Sequence, residues 1–139
     1  MKIAIINGPN LNLIGQRQPE IYGNQSLSDF LTTLGASFPE TELWIQQSNI
    51  EGELINYIQE AGQTSDGIII NPGGYSHTSV AIGDALAAVQ LPKIEVHISN
   101  IFARESFRQH SFVSANCRGV ISGLGLEGYR LALEWLLRS

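Results

Sequence analysis

The chain has 139 residues, 43% of them hydrophobic and 15% charged, a composition that fits one globular domain (1–139) and excludes a disordered chain. A formal net charge of −5 argues against bulk nucleic-acid binding, while leaving room for a local basic pocket that holds an anion. The single cysteine, Cys117, excludes an internal disulfide, no Cys/His cluster has metal-ligand spacing, and no apolar run reaches membrane-spanning length.

The opening MKIAIINGPN has too short an apolar run for a signal peptide. Its residues 2–6 read as a first strand, apolar and β-branched as in strands buried on both faces, and a cytoplasmic protein is the expectation. From Leu11 to Gln25 the chain is polar and punctuated by Gly and Pro, a length typical of lids and binding loops. Ser26 reads as an N-cap, with Leu27, Phe30, Leu31 and Leu34 on one helical face as far as Pro39. Residues 42–46 form the second predicted strand. From Ile50, Leu54, Ile55, Ile58 and Ala61 recur at helical spacing up to Gly62. Residues 67–70 are another buried strand, ended by Asn71-Pro72-Gly73-Gly74, and a helix over 79–90 stops before Pro92. The fourth strand covers 94–98, a short helical stretch covers 104–109, and the fifth strand covers 119–121. A Gly-rich turn then opens an amphipathic helix over 126–137.

Short strands alternating with helices indicate right-handed βαβ units and an open parallel sheet. Five of them suggest a flavodoxin-like α/β fold with strand order 2-1-3-4-5 and helices on both faces. In such sheets ligands bind beyond the carboxyl ends of the strands. The residues that follow strands are therefore the candidates: Asn7, Asn10, Arg17 and Tyr22 after the first, Asn71, Tyr75, Ser76 and His77 after the third. The fourth strand ends in His97, Ser99 and Asn100, with Arg108 downstream, and acids are few, chiefly Glu95 and Glu20. An edge rich in amides and cations suits a polar, anionic small molecule.

Lys2 and Lys93 both open their strands and so lie at the opposite edge, where neither can supply a Schiff base. No GxGxxG or P-loop follows the first strand, so no cofactor is expected, although the fold type alone would admit a flavin. Plain readings also exist. The two Asn/Gly/Pro segments are ordinary turn chemistry, His77 can cap the helix near Ser79, Arg104, Glu105 and Arg108 can be a solvated face, and Cys117 a small core hydrophobe. His97 resists such a reading, because it alternates with Glu95 on one face of an otherwise apolar strand. A carboxylate there can orient the imidazole for general-acid work. A binding module without chemistry and a hydrolase built on Ser76 or Ser99 remain as alternatives, the second weakened by the lack of a nucleophile-elbow motif.

Several longer motifs narrow the choice. Asn7-Gly8-Pro9-Asn10-Leu11-Asn12, residues 15–19 (GQRQP) and Ile21-Tyr22-Gly23 resemble the opening of the type II 3-dehydroquinate dehydratases. So do Asn71-Pro72-Gly73, His77-Thr78-Ser79-Val80-Ala81 with Asp84-Ala85, residues 95–100 (EVHISN), Arg104-Glu105 with Phe107-Arg108, and the run from Gly119 to Tyr129. Gly83 departs from the pattern, standing where a larger, often basic residue is common, and Ala115-Asn116-Cys117 is atypical.

The resemblance implies cofactor-free anti elimination of water from 3-dehydroquinate to 3-dehydroshikimate, in the shikimate pathway. Tyr22 would be the base, as tyrosinate. Ionising an unperturbed tyrosine near pH 7 costs about 4 kcal/mol, and Arg17 would lower that cost. Asn10 would hold a water against the enolate-like intermediate, and His97, oriented by Glu95, would protonate the departing hydroxyl. Asn71, His77 and Arg108 would bind substrate hydroxyls, and the backbone N–H groups of Ile98 and Ser99 the carboxylate. The segment 13–22 would close as a lid. Asp84 resembles the acid that these enzymes lend to a neighbouring subunit, consistent with a trimer-based dodecamer.

Overall fold

The computed structural model describes residues 1–15 and 25–139. Five strands, β1 (Lys2–Asn7), β2 (Glu42–Gln47), β3 (Gly67–Asn71), β4 (Lys93–His97) and β5 (Gly119–Ser122), pair in parallel in the order β2-β1-β3-β4-β5. That is the flavodoxin-like order. Helices α1 (Leu27–Ser37) and α4 (Glu127–Arg138) cover one face, and α2 (Glu51–Thr64) and α3 (Val80–Ala87) cover the other.

The alternation along β1 shows why. Ile3 and Ile5 face the α1/α4 layer with Phe30, Leu31, Leu34, Leu133 and Leu136. Ala4 and Ile6 face the α2/α3 layer with Leu54, Ile58, Ala61, Ile82 and Leu86. Successive strand residues point to opposite faces, so a central strand between two helical layers must be apolar throughout. Both apolar stripes predicted for the first two helices are the faces that these helices bury.

Element ends differ from expectation in physically readable ways. Ser26 caps α1 as predicted, its Oγ accepting from Asp29 N at 3.0 Å. Gly62 does not end α2, which runs on to Thr64. The glycine instead sits where α2 crosses Val89, because a Cβ there would lie 3.0 Å from a valine methyl. Helix α3 ends at Ala87, earlier than expected, with a tighter turn from Val89 N to Leu86 O before β4 begins. The 104–109 stretch is only a 3₁₀ turn, Ser106–Gln109. Among the described residues, no helix is long and apolar enough to cross a membrane, and no His/Cys/Asp/Glu group could hold a metal ion.

Candidate active site

The turns that follow β1 and β3 pack directly on one another. Gly8 N donates to Asn71 O at 2.7 Å, and a Cβ on Gly8 would stand 2.4 Å from Pro72 O. Gly73 has φ of 61°, in the left-handed region that glycine takes without strain, and lies against Pro9. These Asn/Gly/Pro segments are therefore more than chain reversals: they let two strand ends meet closely beneath a cleft. Asn10, also left-handed at φ 70°, is held by its backbone N–H to Asn49 Oδ1 at 3.0 Å.

The cleft, of about 210 Å³, opens beyond the carboxyl ends of β1, β3 and β4. Asn10, Asn71, His77, His97, Ile98, Ser99 and Arg108 all line it, which brings together most of the residues picked out in the sequence. Arg104 lines it as well, donating to Ser99 Oγ at 3.4 Å, so it is not the plain solvated residue that its helical spacing suggested. Asp84 is exposed on α3 and is not part of this lining. Arg17, Tyr22 and Glu20 lie outside the described residues.

His97 sits over a buried polar floor. Its Nε2 meets Glu95 Oε2 at 2.5 Å, and Ser76 Oγ donates to the same carboxylate oxygen at 2.7 Å. The other oxygen, Oε1, accepts from Ser114 Oγ. Glu95 has no solvent exposure. Burial pushes its carboxyl up, but the hydrogen bonds from His97, Ser114 and Ser76 outweigh that and hold it below the usual carboxylate range. Glu95 is thus an anion that fixes one imidazole nitrogen, leaving Nδ1 available to a ligand.

His77 stacks on His97 with ring centroids 6.2 Å apart, and its Nδ1 donates to His110 O at 2.7 Å. It therefore does not cap α3; Ser79 does, accepting from Ile82 N at 3.0 Å. Burial lowers the pKa of His77, and the nearby His97 and Arg108 add to that against the pull of the His110 carbonyl and Glu95. A neutral imidazole with its proton on Nδ1 presents Nε2 as an acceptor for a hydroxyl group. Arg108 is half-buried, 3.0 Å from Glu105, and stacks over Phe107 at 5.0 Å. The site combines two arginines, two histidines and several amides in a partly enclosed space, an arrangement that can hold an oxygen-rich anion and deliver a proton to it.

Two supports of the site are not evident from the sequence. Ser114 is distant in sequence from the Glu95 it anchors, and nothing in its neighbourhood marks it. Tyr129 is fully buried on α4; its hydroxyl donates to Asn7 Oδ1 at 2.7 Å and accepts from Asn71 Nδ2 at 3.0 Å. Burial pushes this phenol far above its ordinary range, outweighing the opposing hydrogen bond from Asn71, so it stays protonated. A polar tip in an otherwise apolar helix face was the available signal.

Fold and cleft together define a flavodoxin-like α/β protein with a polar, cationic cleft at the carboxyl edge of its parallel sheet. The family model for dehydroquinase class II matches residues 1–137. A 3-dehydroquinate dehydratase of Idiomarina loihiensis is 56% identical over 96% of this chain and 90% of its own length. A 3-dehydroquinate dehydratase 2 of Agrobacterium fabrum is 58% identical over 96% and 92%. The crystal structure of a type II dehydroquinase from Butyrivibrio crossotus superposes with a TM-score of 0.94 at 48% identity, covering 99% of this chain and 97% of that one. The chain belongs to the class II dehydroquinase family, a family of hydro-lyases.

Proposed function

We propose that this chain is a type II 3-dehydroquinate dehydratase that converts 3-dehydroquinate to 3-dehydroshikimate and water by anti elimination, in the shikimate pathway and in the cytoplasm. The observation that carries the reading is the Glu95-held His97 in a cationic, amide-lined cleft, in a chain more than half identical to dehydratases of that name.

In this reading Tyr22, as tyrosinate beside Arg17, takes a proton from the carbon next to the ketone. The C–H electrons move into an enolate, which a water held by Asn10 stabilises. The β-hydroxyl then leaves as water, taking its proton from His97 Nδ1 while Glu95 steadies the imidazolium. Asn71, His77 and Arg108 bind the ring hydroxyls, and the N–H groups of Ile98 and Ser99 the carboxylate. Chemistry of this kind asks nothing of a metal or cofactor. Asp84, exposed and away from its own cleft, would serve a neighbouring subunit in a dodecamer of trimers, an assembly that sedimentation of the purified chain tests directly.

The assay mixes the protein with 3-dehydroquinate and follows the ultraviolet absorbance of the conjugated enone. A rise that scales with enzyme is expected, and a flat trace at high enzyme concentration removes the proposal. Tyr22→Phe should abolish turnover while substrate affinity is largely kept; a turnover number near that of the parent would remove Tyr22 as the base.

A further inference from the structure

The buried hydroxyl of Tyr129 joins two strand ends that the chain reaches from far away, 122 residues from Asn7 and 58 from Asn71. Asn7 and Asn71 are register partners at the last positions of β1 and β3. Helix α4 lies close enough on the sheet for contact because its Gly128 has no Cβ, which would stand 3.2 Å from a Val96 methyl and 3.4 Å from one on Ile121. A phenylalanine would fill the same apolar space as Tyr129, and a buried hydroxyl costs free energy unless paired. Here it is paired twice, once as donor and once as acceptor.

The polarity of that pairing has a consequence at the cleft. A neutral phenol has one proton. Spending it on Asn7 Oδ1 leaves only its lone pairs for Asn71, so Asn71 must turn its NH₂ group towards Tyr129. The Asn71 carbonyl oxygen then accepts from Gly73 N at 3.1 Å, within the turn that carries the cleft wall. Among the described residues, one N–H of Asn71 has no partner and remains for a ligand. The amide is locked at both ends, and its free group is a donor.

We infer that Tyr129 is a positioning residue that fixes the Asn71 amide so that the cleft offers a hydrogen-bond donor, selecting a ligand with an acceptor oxygen at that point. The inference rests on the reading of Asn71 as a substrate-binding residue. Tyr129 itself touches no ligand; it acts through Asn71. Without the hydroxyl, the amide keeps only the Gly73 N–H on its oxygen and loses the contact that holds its NH₂ group in place, so the donor offered to the cleft is no longer fixed.

Tyr129→Phe keeps the ring and removes the hydroxyl. Its KM for 3-dehydroquinate should rise about tenfold, the scale of one neutral hydrogen bond, with kcat within about twofold of the parent. Asn71→Ala should raise KM similarly, and the double variant should be no worse than Asn71→Ala alone. A lowered melting temperature with parental KM, or KM effects that multiply in the double variant, would show that Tyr129 only supports the core. If Tyr129→Phe does not fold, Asn7→Ala takes its place: it frees the Tyr129 proton to compete at Asn71, and the same KM rise and the same non-additivity are expected. An unchanged KM in Asn7→Ala then overturns the inference. The side-chain amide protons of Asn71, followed by NMR in the ligand-free chain, give a readout independent of turnover. Slow exchange in the parent that becomes fast in the Tyr129 or Asn7 variant upholds the inference, and equal exchange sinks it. A parent with no turnover of 3-dehydroquinate would count against the proposed reaction, and these protons would still decide the role of Tyr129.

Discussion

At the scale of single residues, the site turns on a carboxylate kept charged where water cannot reach it. Leaving Glu95 buried without partners would be costly, yet three donors converge on its two oxygens, from β4 itself, from the turn after β3 and from the 114–116 turn. This arrangement links stability to pH. The folded pKa of Glu95 lies below the unfolded value near 4.5. Between the two, the unfolded chain binds more protons, so the contribution of Glu95 is fully present above 4.5 and is lost as pH falls through the folded value. Glu95→Gln should therefore flatten the acid-side fall in stability relative to the parent, measured by denaturant unfolding at a series of pH values below 5. Parallel curves for parent and variant would mean that Glu95 is not held as described. The Glu95/His97 alternation was legible in the sequence because a strand places residues two apart on one face. Ser76 stands out in the sequence as a strand-end residue, but its bond to Glu95 does not, since only the sheet brings β3 and β4 side by side.

At the scale of elements, the productive contacts are between turns and between segments. The Asn7-Gly8-Pro9 and Asn71-Pro72-Gly73 turns interlock through the missing Cβ of Gly8. Gly8→Ala should cost about 1–3 kcal/mol of unfolding free energy, as overpacking against rigid backbone does, and should raise KM because both turns line the cleft. A change within about 0.5 kcal/mol, the range of an ordinary surface substitution, would show that the turns have room to separate. The two departures from the family pattern also meet in space. Asn116 Nδ2 donates to Gly83 O at 3.0 Å, and a Cβ on Gly83 would lie 2.4 Å from Phe112 O. A larger residue at 83 would require the 112–116 segment to stand further from α3. Helix interiors and strands were readable from periodicity. Their ends were not: Gly62 reads as a helix stop, but close packing on Val89 is what makes a glycine useful there.

At the scale of the whole molecule, the sheet separates two edges with different chemistry. Lys93 opens β4 and is buried, its Nζ donating to Val89 O, and Lys2 opens β1 and lies 3.8 Å from Glu42. Both stand a full strand length from the cleft at the other edge. Borohydride added in the presence of 3-dehydroquinate should therefore leave activity intact. Progressive loss with a mass increase on a lysine would establish an imine route instead. Cys117 stands at the lysine edge too, where burial, reinforced by Glu95 and partly offset by Lys93, pushes its thiol up to about 12 and keeps it unreactive.

The sequence by itself determined the layered α/β architecture and the edge at which the candidate residues gather. Apolar periodicity and strand-end composition are local, and the handedness of βαβ crossovers leaves few ways to join the strands. The family motifs added roles to named residues. Only the tertiary structure decided which buried groups hold the site in shape. Ser114 on Glu95 and Tyr129 between Asn7 and Asn71 are contacts across elements. Their partners are chosen by distance in the folded chain and by the need to satisfy each buried polar atom, which no spacing along the sequence encodes.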